Sequence, residues 1–264
     1  MFARDDLIRE AQALEPLPAS SARLSQILSQ EDWTLDEVAK TASLDQALTG
    51  RLLRAANSAS SGSQVQITSV GQAVMRLGPS VVLPVALGHG VHSQMKGEEG
   101  LWRHSVGTAL ATEVMRRAGL KPPPGTFIAA LVHDVGKLVI HRKLERSGIT
   151  LTCEFPDEPW RDESEQLGID HAELGGTIAS TWELPGSIPD AVRYHHNPQA
   201  APDGTARDMA RFVAAADAIA HTLDSQEPVW NPVITAHFDL GAEDQEKIRL
   251  ATAKVLVQVM KLYT

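Results

Sequence analysis

Cysteine is almost absent from this chain of 264 residues; Cys153 stands alone. One thiol closes no intrachain disulfide, which fits a reducing compartment. Basic charge is short as well: 24 Lys and Arg face 33 Asp and Glu, a net charge of −9. That excess of acid argues against a nucleic-acid groove, which requires a basic face. Long hydrophobic runs are lacking too, since stretches such as 81–87 are far too short to span a bilayer and contain Pro84. The opening Met1-Phe2-Ala3-Arg4-Asp5-Asp6 has no apolar segment of the kind that directs export. The expectation is a cytoplasmic protein that engages neither membrane nor nucleic acid. There is no repeat of fixed period and no low-complexity tract, and period-two alternation is confined to 64–68.

What fills the chain instead is helical periodicity. Leu7, Ile8, Ala11 and Leu14 line one face of a first helix that stops at the Pro16–Pro18 turn, and Leu24, Ile27 and Leu28 repeat the pattern over 23–30. Capping boxes then recur, with a cap three residues before Glu or Gln: Thr34 with Glu37, Ser43 with Gln46, Ser69 with Gln72, Asp170 with Glu173. Further helices are expected over 101–118, 126–141, 189–196, 209–223 and 243–262, with loops around 121–125 and 197–205. The polar Lys96-Gly97-Glu98-Glu99-Gly100 stretch is too short for a free linker. The fold expected is all-α: two packed helical lobes, 1–96 and 97–264.

The histidines carry the chemistry. His133-Asp134 is expected within an otherwise apolar helix, where an ionised carboxylate costs several kcal/mol unless a cation or good hydrogen bonds compensate it. An imidazole and a carboxylate side by side can ligate one metal, and the second carboxylate oxygen can bridge to another. Lys137, four residues after His133, shares its helix face and could meet a phosphate oxygen. Alone, the pair reads as a buried hydrogen bond that holds a helix. It has company. His104 lies in an amphipathic helix beside small Thr108 and Ala111, and Asp217 interrupts an apolar helix face. His171 follows the Asp170 cap, and His195-His196 ends another helix.

The order His104, His133-Asp134, Asp217 resembles the H…HD…D signature of the HD superfamily of metal-dependent phosphohydrolases. The N-terminal block resembles one branch of it, the HDOD domain, through Leu17-Pro18-Ala19, Leu44-Asp45-Gln46-Ala47-Leu48-Thr49, Arg51-Leu52-Leu53-Arg54-Ala55-Ala56-Asn57-Ser58 and Ile67-Thr68-Ser69-Val70-Gly71-Gln72. Gly168-Ile169-Asp170-His171 and Trp182-Glu183-Leu184-Pro185 extend the likeness, which covers about 14–220. The resemblance implies a bacterial signalling or regulatory module whose C-terminal lobe is an HD-type helical bundle. It implies metal ligation by His104, His133, Asp134, His171, His195, His196 and Asp217, with Asp134 bridging and Lys137 near a substrate phosphate, so that Asp134 and Lys137 would be the catalytic pair. One or two divalent transition-metal ions are expected, among Fe, Mn, Zn and Ni.

Two departures stand out. Cyclic-di-GMP hydrolases of the related HD-GYP type follow the paired histidines with a Glu and a Gly-Tyr-Pro loop; here Asn197-Pro198 follows and the loop is absent. Gly100 stands where some relatives place a further glutamate ligand. Three readings follow: a signalling module that contacts a protein partner, a phosphohydrolase acting on a nucleotide-type phosphate with Arg103 or Arg193 assisting, and a helical protein whose polar cluster needs no metal. His89, His92, His141, His221 and His237 read as surface or helix-end residues, and the five tryptophans as packing.

Overall fold

The computed structural model describes residues 4–57, 66–155, 158–225 and 231–263. Ser58, Asp157, Trp230 and the first part of the 64–68 alternation lie outside them, and 66–68 adopts no regular structure. Among the described residues all regular structure is helical, the fold class expected. In chain order the helices are α1 (Arg4–Gln12), α2 (Ala19–Leu28), α3 (Leu35–Ser43), α4 (Gln46–Asn57), α5 (Val70–Leu77), α6 (Pro79–Gln94), α7 (Glu99–Arg117) and α8 (Thr126–Val132). Then come α9 (Lys137–Ser147), α10 (Pro159–Leu167), α11 (His171–Thr181), α12 (Ile188–Arg193), α13 (Gly204–Ala220), α14 (Pro232–Phe238) and α15 (Ala242–Met260), with a 3-10 turn at Pro198–Ala200.

Local chemistry sets the boundaries. At α3 the Thr34 hydroxyl accepts from the Glu37 amide at 3.3 Å while Glu37 accepts from the Thr34 amide at 2.8 Å, a complete capping box. Ser69 and Asp170 cap α5 and α11 through the Gln72 and Glu173 amides, at 3.2 and 2.8 Å. The Ser43–Gln46 box does not form. Ser43 ends α3 with its hydroxyl donating to the Ala39 carbonyl, and Asp45 caps α4, accepting from the Leu48 amide at 2.9 Å. A carboxylate in that position satisfies an orphan amide and also meets the positive end of the helix dipole.

The single helix expected over 126–141 is two, α8 and α9, joined by a turn at His133-Asp134-Val135-Gly136. There the amides of Val135, Lys137 and Leu138 bond to carbonyls three residues back, the tighter 3-10 pattern. Gly136 makes the turn possible: a Cβ there would fall 2.0 Å from the His171 carbonyl oxygen and 2.8 Å from the Gly175 amide nitrogen. The start of α11 lies directly on the turn's backbone, an approach only glycine permits. Apolar residues on both flanks hide the bend from periodicity.

Helix α7 is the central strut, packed against α8, α13 and α15, while α11 packs on α12. Helix α1 lies on α9 and α11, with Lys143 donating to Glu10 at 2.7 Å and Arg4 paired with Glu173. One continuous buried core runs through both expected lobes. Helix α6 is buried along most of its length and comes close enough to α7 that a Cβ on Gly88 would fall 2.5 Å from Trp102. Tyr263, beyond α15, completes this contact: its ring meets Trp102 edge-on at 4.9 Å and its hydroxyl donates to the Pro84 carbonyl at 2.8 Å. No helix among the described residues is long and apolar enough to cross a membrane.

Gly136→Ala is expected to cost more than about 2 kcal/mol and to lower Tm by roughly 5 °C or more, because the obstacle is backbone and cannot swing aside. Gly71→Ala in α5, where a Cβ meets nothing within 4 Å, is the control and should leave Tm unchanged or raised. Equal Tm values for the two variants would refute the account of the turn.

Candidate metal centre

Helix ends converge on one point. His104 comes from α7. His133 and Asp134 come from the α8–α9 turn, and Lys137 opens α9. His171 opens α11, His195-His196 follow α12, and Asp217 lies in the last turn of α13. Thr108, one turn after His104, is fully buried and donates to the His104 carbonyl at 3.0 Å, keeping that face narrow.

Asp134 is the hub, only 2% exposed. Its Oδ1 lies 3.1 Å from His171 Nε2, while its Oδ2 lies 2.7 Å from Lys137 Nζ, 3.4 Å from His133 Nε2 and 3.6 Å from His104 Nε2. Asp217 Oδ1 sits 2.8 Å from His104 Nε2 and 3.6 Å from His133 Nε2. On the Oδ1 side, His171 and His196 bring their Nε2 atoms within 2.9 Å of one another, and the His195 ring lies 4.0 Å from that of His196. The two oxygens of one carboxylate thus face two imidazole groups: His104 and His133 with Asp217, and His171, His195 and His196. All seven expected ligand residues and Lys137 meet here. Arg103 and Arg193 pair with Asp224 and Asp190 rather than with Asp134 or Asp217.

The far nitrogens fix the tautomers. His133 Nδ1 lies 2.8 Å from the Ala130 carbonyl and His195 Nδ1 lies 2.7 Å from that of Val192. A carbonyl only accepts, so Nδ1 carries a proton, and a ring that gives up its second proton turns an Nε2 lone pair inward. The Nε2 atoms of His104, His133 and His195 and Asp217 Oδ1 are buried without a hydrogen-bond partner. Short separations without hydrogen-bond alignment are what donors converging on an ion would show. An unsatisfied buried polar atom costs about 1–3 kcal/mol. Four together rival the roughly 5–15 kcal/mol by which a whole domain is stable, so a cation or bound protons must take that place. Asp134 fits a bridging ligand and the imidazoles fit borderline transition metals.

The titration behaviour shows the same demand for positive charge. Burial pushes the Asp134 carboxyl up, but His133, Lys137 and His171 outweigh it and hold its pKa well below the carboxylate range. Burial likewise raises Asp217, and the His104 and His133 imidazoles beside its Oδ1 reverse this, holding its pKa well below the carboxylate range. Desolvation pulls His171 down, yet Asp134 and Glu163 carry it up to about 9. His195 and His196, flanked by other imidazoles in a buried setting, are lowered, His196 to about 3.

Three participants lie outside the sequence reading. Glu163, from α10, accepts from the His171 amide and lies 2.7 Å from His171 Nδ1, orienting that ring. No helix was expected there, and only the run of acids in Asp162-Glu163 hinted at it. Trp160, one turn of helix earlier, stacks on His196 at 5.5 Å and so covers a site residue. His221, expected at the surface, lies 3.3 Å from Asp217 Oδ1; the four-residue spacing was the available signal. His92 packs against Trp102 and Tyr263, at the end of α6.

The HDOD domain family matches residues 14–198, well over half of the chain. The chain belongs to the HDOD family. The match ends before Asp217 and His221. An HDOD domain protein of unknown function from Geobacter sulfurreducens is 25% identical, with a TM-score of 0.68 over 98% of each chain. A candidate signal transduction protein from Marinobacter aquaeolei VT8 shares the fold at 19% identity and a TM-score of 0.69, over 98% of this chain and 64% of that one. An uncharacterised protein of Treponema pallidum (strain Nichols) is 25% identical over 221 residues, 80% of this HDOD chain, which spans 43% of that relative's length.

Metal-free protein is expected to be most stable near pH 6.5. Below that value unfolded imidazoles bind protons that His195 and His196 refuse, so stability falls on acidification. Between 6.5 and about 9 the folded His171 keeps a proton the unfolded one has lost, so stability falls again as pH rises. Tm measured in chelator should trace this bell, with a shallower alkaline limb in Glu163→Gln; a Tm that climbs steadily to pH 9 would refute it.

Proposed function

We propose that this HDOD protein is a signalling module whose His/Asp centre binds two divalent transition-metal ions bridged by Asp134, and that it acts through a protein partner. The observation that carries the metal reading is the convergence of four buried, partnerless donor atoms on the two sides of one carboxylate. His104, His133, Asp134 and Asp217 would hold one ion, and Asp134, His171, His195 and His196 the other. Lys137 offsets the remaining carboxylate charge.

Enclosure supports regulation over turnover. His133, His171 and His195 are buried, and Lys137 spends its ammonium on Asp134 at 2.7 Å. Closed ligand sets are typical of structural sites, whereas catalytic ones keep an open position. A cavity of about 460 Å³ opens elsewhere, between Trp33, Leu83, Glu113 and Phe127. The name of the Marinobacter protein agrees, on likeness of fold alone.

A second reading, metal-dependent phosphohydrolase, is favoured by one observation: a cavity of about 270 Å³ reaches His104, with Arg103 on its wall. Bound there, divalent ions would supply Lewis-acid polarisation of a phosphoryl oxygen. Lys137 and Arg103 would then hold the phosphate's charge, with Lys137 exchanging Asp134 for the substrate.

Protein purified without chelator or nickel resin is expected to carry about two transition-metal ions per chain by elemental analysis. Asp134→Ala should lose them while keeping its far-UV circular dichroism. No metal in the wild type would overturn the reading. Turnover of bis(p-nitrophenyl) phosphate with Mn²⁺, abolished in Lys137→Ala, would shift the assignment to the hydrolase.

A further inference from the structure

The donors of the centre are graded in exposure. His133 and Asp134 are buried, His104 and Asp217 have side chains 16% and 17% exposed, and His221 is 66% exposed. Of these residues only His104 and His221 line the 270 Å³ cavity, together with Gly100, Arg103 and Asp224. His221 therefore stands between solvent and the inner ligands.

Its geometry is that of a ligand. One donor atom from each of His104, Asp217 and His221 falls within 4.8 Å of the others, as holds separately for His104, His133 and Asp134. The His104 and His221 ring centroids are 4.5 Å apart. Asp217 Oδ1 has His104 Nε2 at 2.8 Å and His221 Nε2 at 3.3 Å, yet neither is aligned to hydrogen-bond with it. An ordinary Asp–His pair one turn apart at a helix C-terminus would close that hydrogen bond; here the donor atoms crowd together without closing it. His104 belongs to both triads, and one imidazole nitrogen binds one ion at a time. The two positions are therefore successive rather than simultaneous. Asp217 is shared as well, so passage inward exchanges His221 for His133 and Asp134, whose Nε2 and Oδ2 lie 3.6 Å from Asp217 Oδ1 and from His104 Nε2 respectively.

We propose that His104, Asp217 and His221 form a loading position at the mouth of the centre, where a divalent ion is captured from the cavity before His104 hands it inward. This rests on the reading of the Asp134 centre as metal-binding. An enclosed site needs an entry path, and this cavity is the one that touches its ligands among those described.

The test is Zn²⁺ uptake by chelator-stripped full-length protein in stopped flow, with final content by elemental analysis. His221→Ala should slow uptake about tenfold, slow release to a chelator by the same factor, and leave the final content unchanged. His221→Asp, which restores a ligand oxygen, should recover most of the rate. Because His221 is exposed, circular dichroism should not change. An unaltered uptake rate would overturn the proposal while leaving the centre itself intact. Loss of an ion at equilibrium would overturn it too, making His221 a resident ligand. A wild type that takes up no Zn²⁺ would bring down both this proposal and the metal reading beneath it.

Discussion

A carboxylate as deeply buried as Asp134 needs positive charge on every open side, because several kcal/mol of lost hydration must be offset by neighbours within reach. Lys137 supplies part of that charge from the next helical turn, and the imidazoles supply more. The need explains why the centre gathers side chains from so many elements. It also explains why removing one partner is not a local event: each remaining group would be left facing charge that nothing balances.

The site is assembled from helix ends and turns, apart from His104 within α7. Ends are where side chains can point along an axis, and where the backbone is free to bend, as Gly136 bends it against α11. Glu163 adds rigidity from α10 by engaging both the amide and the ring of His171. Ring orientation is therefore set before any ligand arrives, the preorganisation that metal sites use to favour one geometry.

Much of this was legible in the chain itself. Periodicity and caps such as Thr34 and Asp170 gave the helical class and several boundaries, because those signals are local. His133-Asp134 and Asp217 stood out because polar groups in apolar stretches are costly, and the resemblance to the HD superfamily joined them with His104, His171, His195 and His196 as one set. The break at 133–136 was not, since an apolar stretch reads alike whether it runs straight or bends, and the obstacle demanding glycine lies 35 residues on, at His171. Glu163 and His221 were hidden for a similar reason. Their roles depend on which surfaces α10 and the end of α13 present to the centre, and that is decided by packing rather than by neighbours in sequence.

The contact made by Tyr263 bears on the order of synthesis. Every element that carries a residue of the cluster has left the ribosome once the chain has passed His221, yet the space beside Gly88 and Trp102 still lacks the ring that fills it and the donor that serves Pro84. Until residue 263 emerges, the nascent chain holds the His and Asp cluster beside an unfilled seam between α6 and α7. The side chains that gather charge around Asp134 are available before the seam closes, so they first meet on a scaffold that is still adjusting.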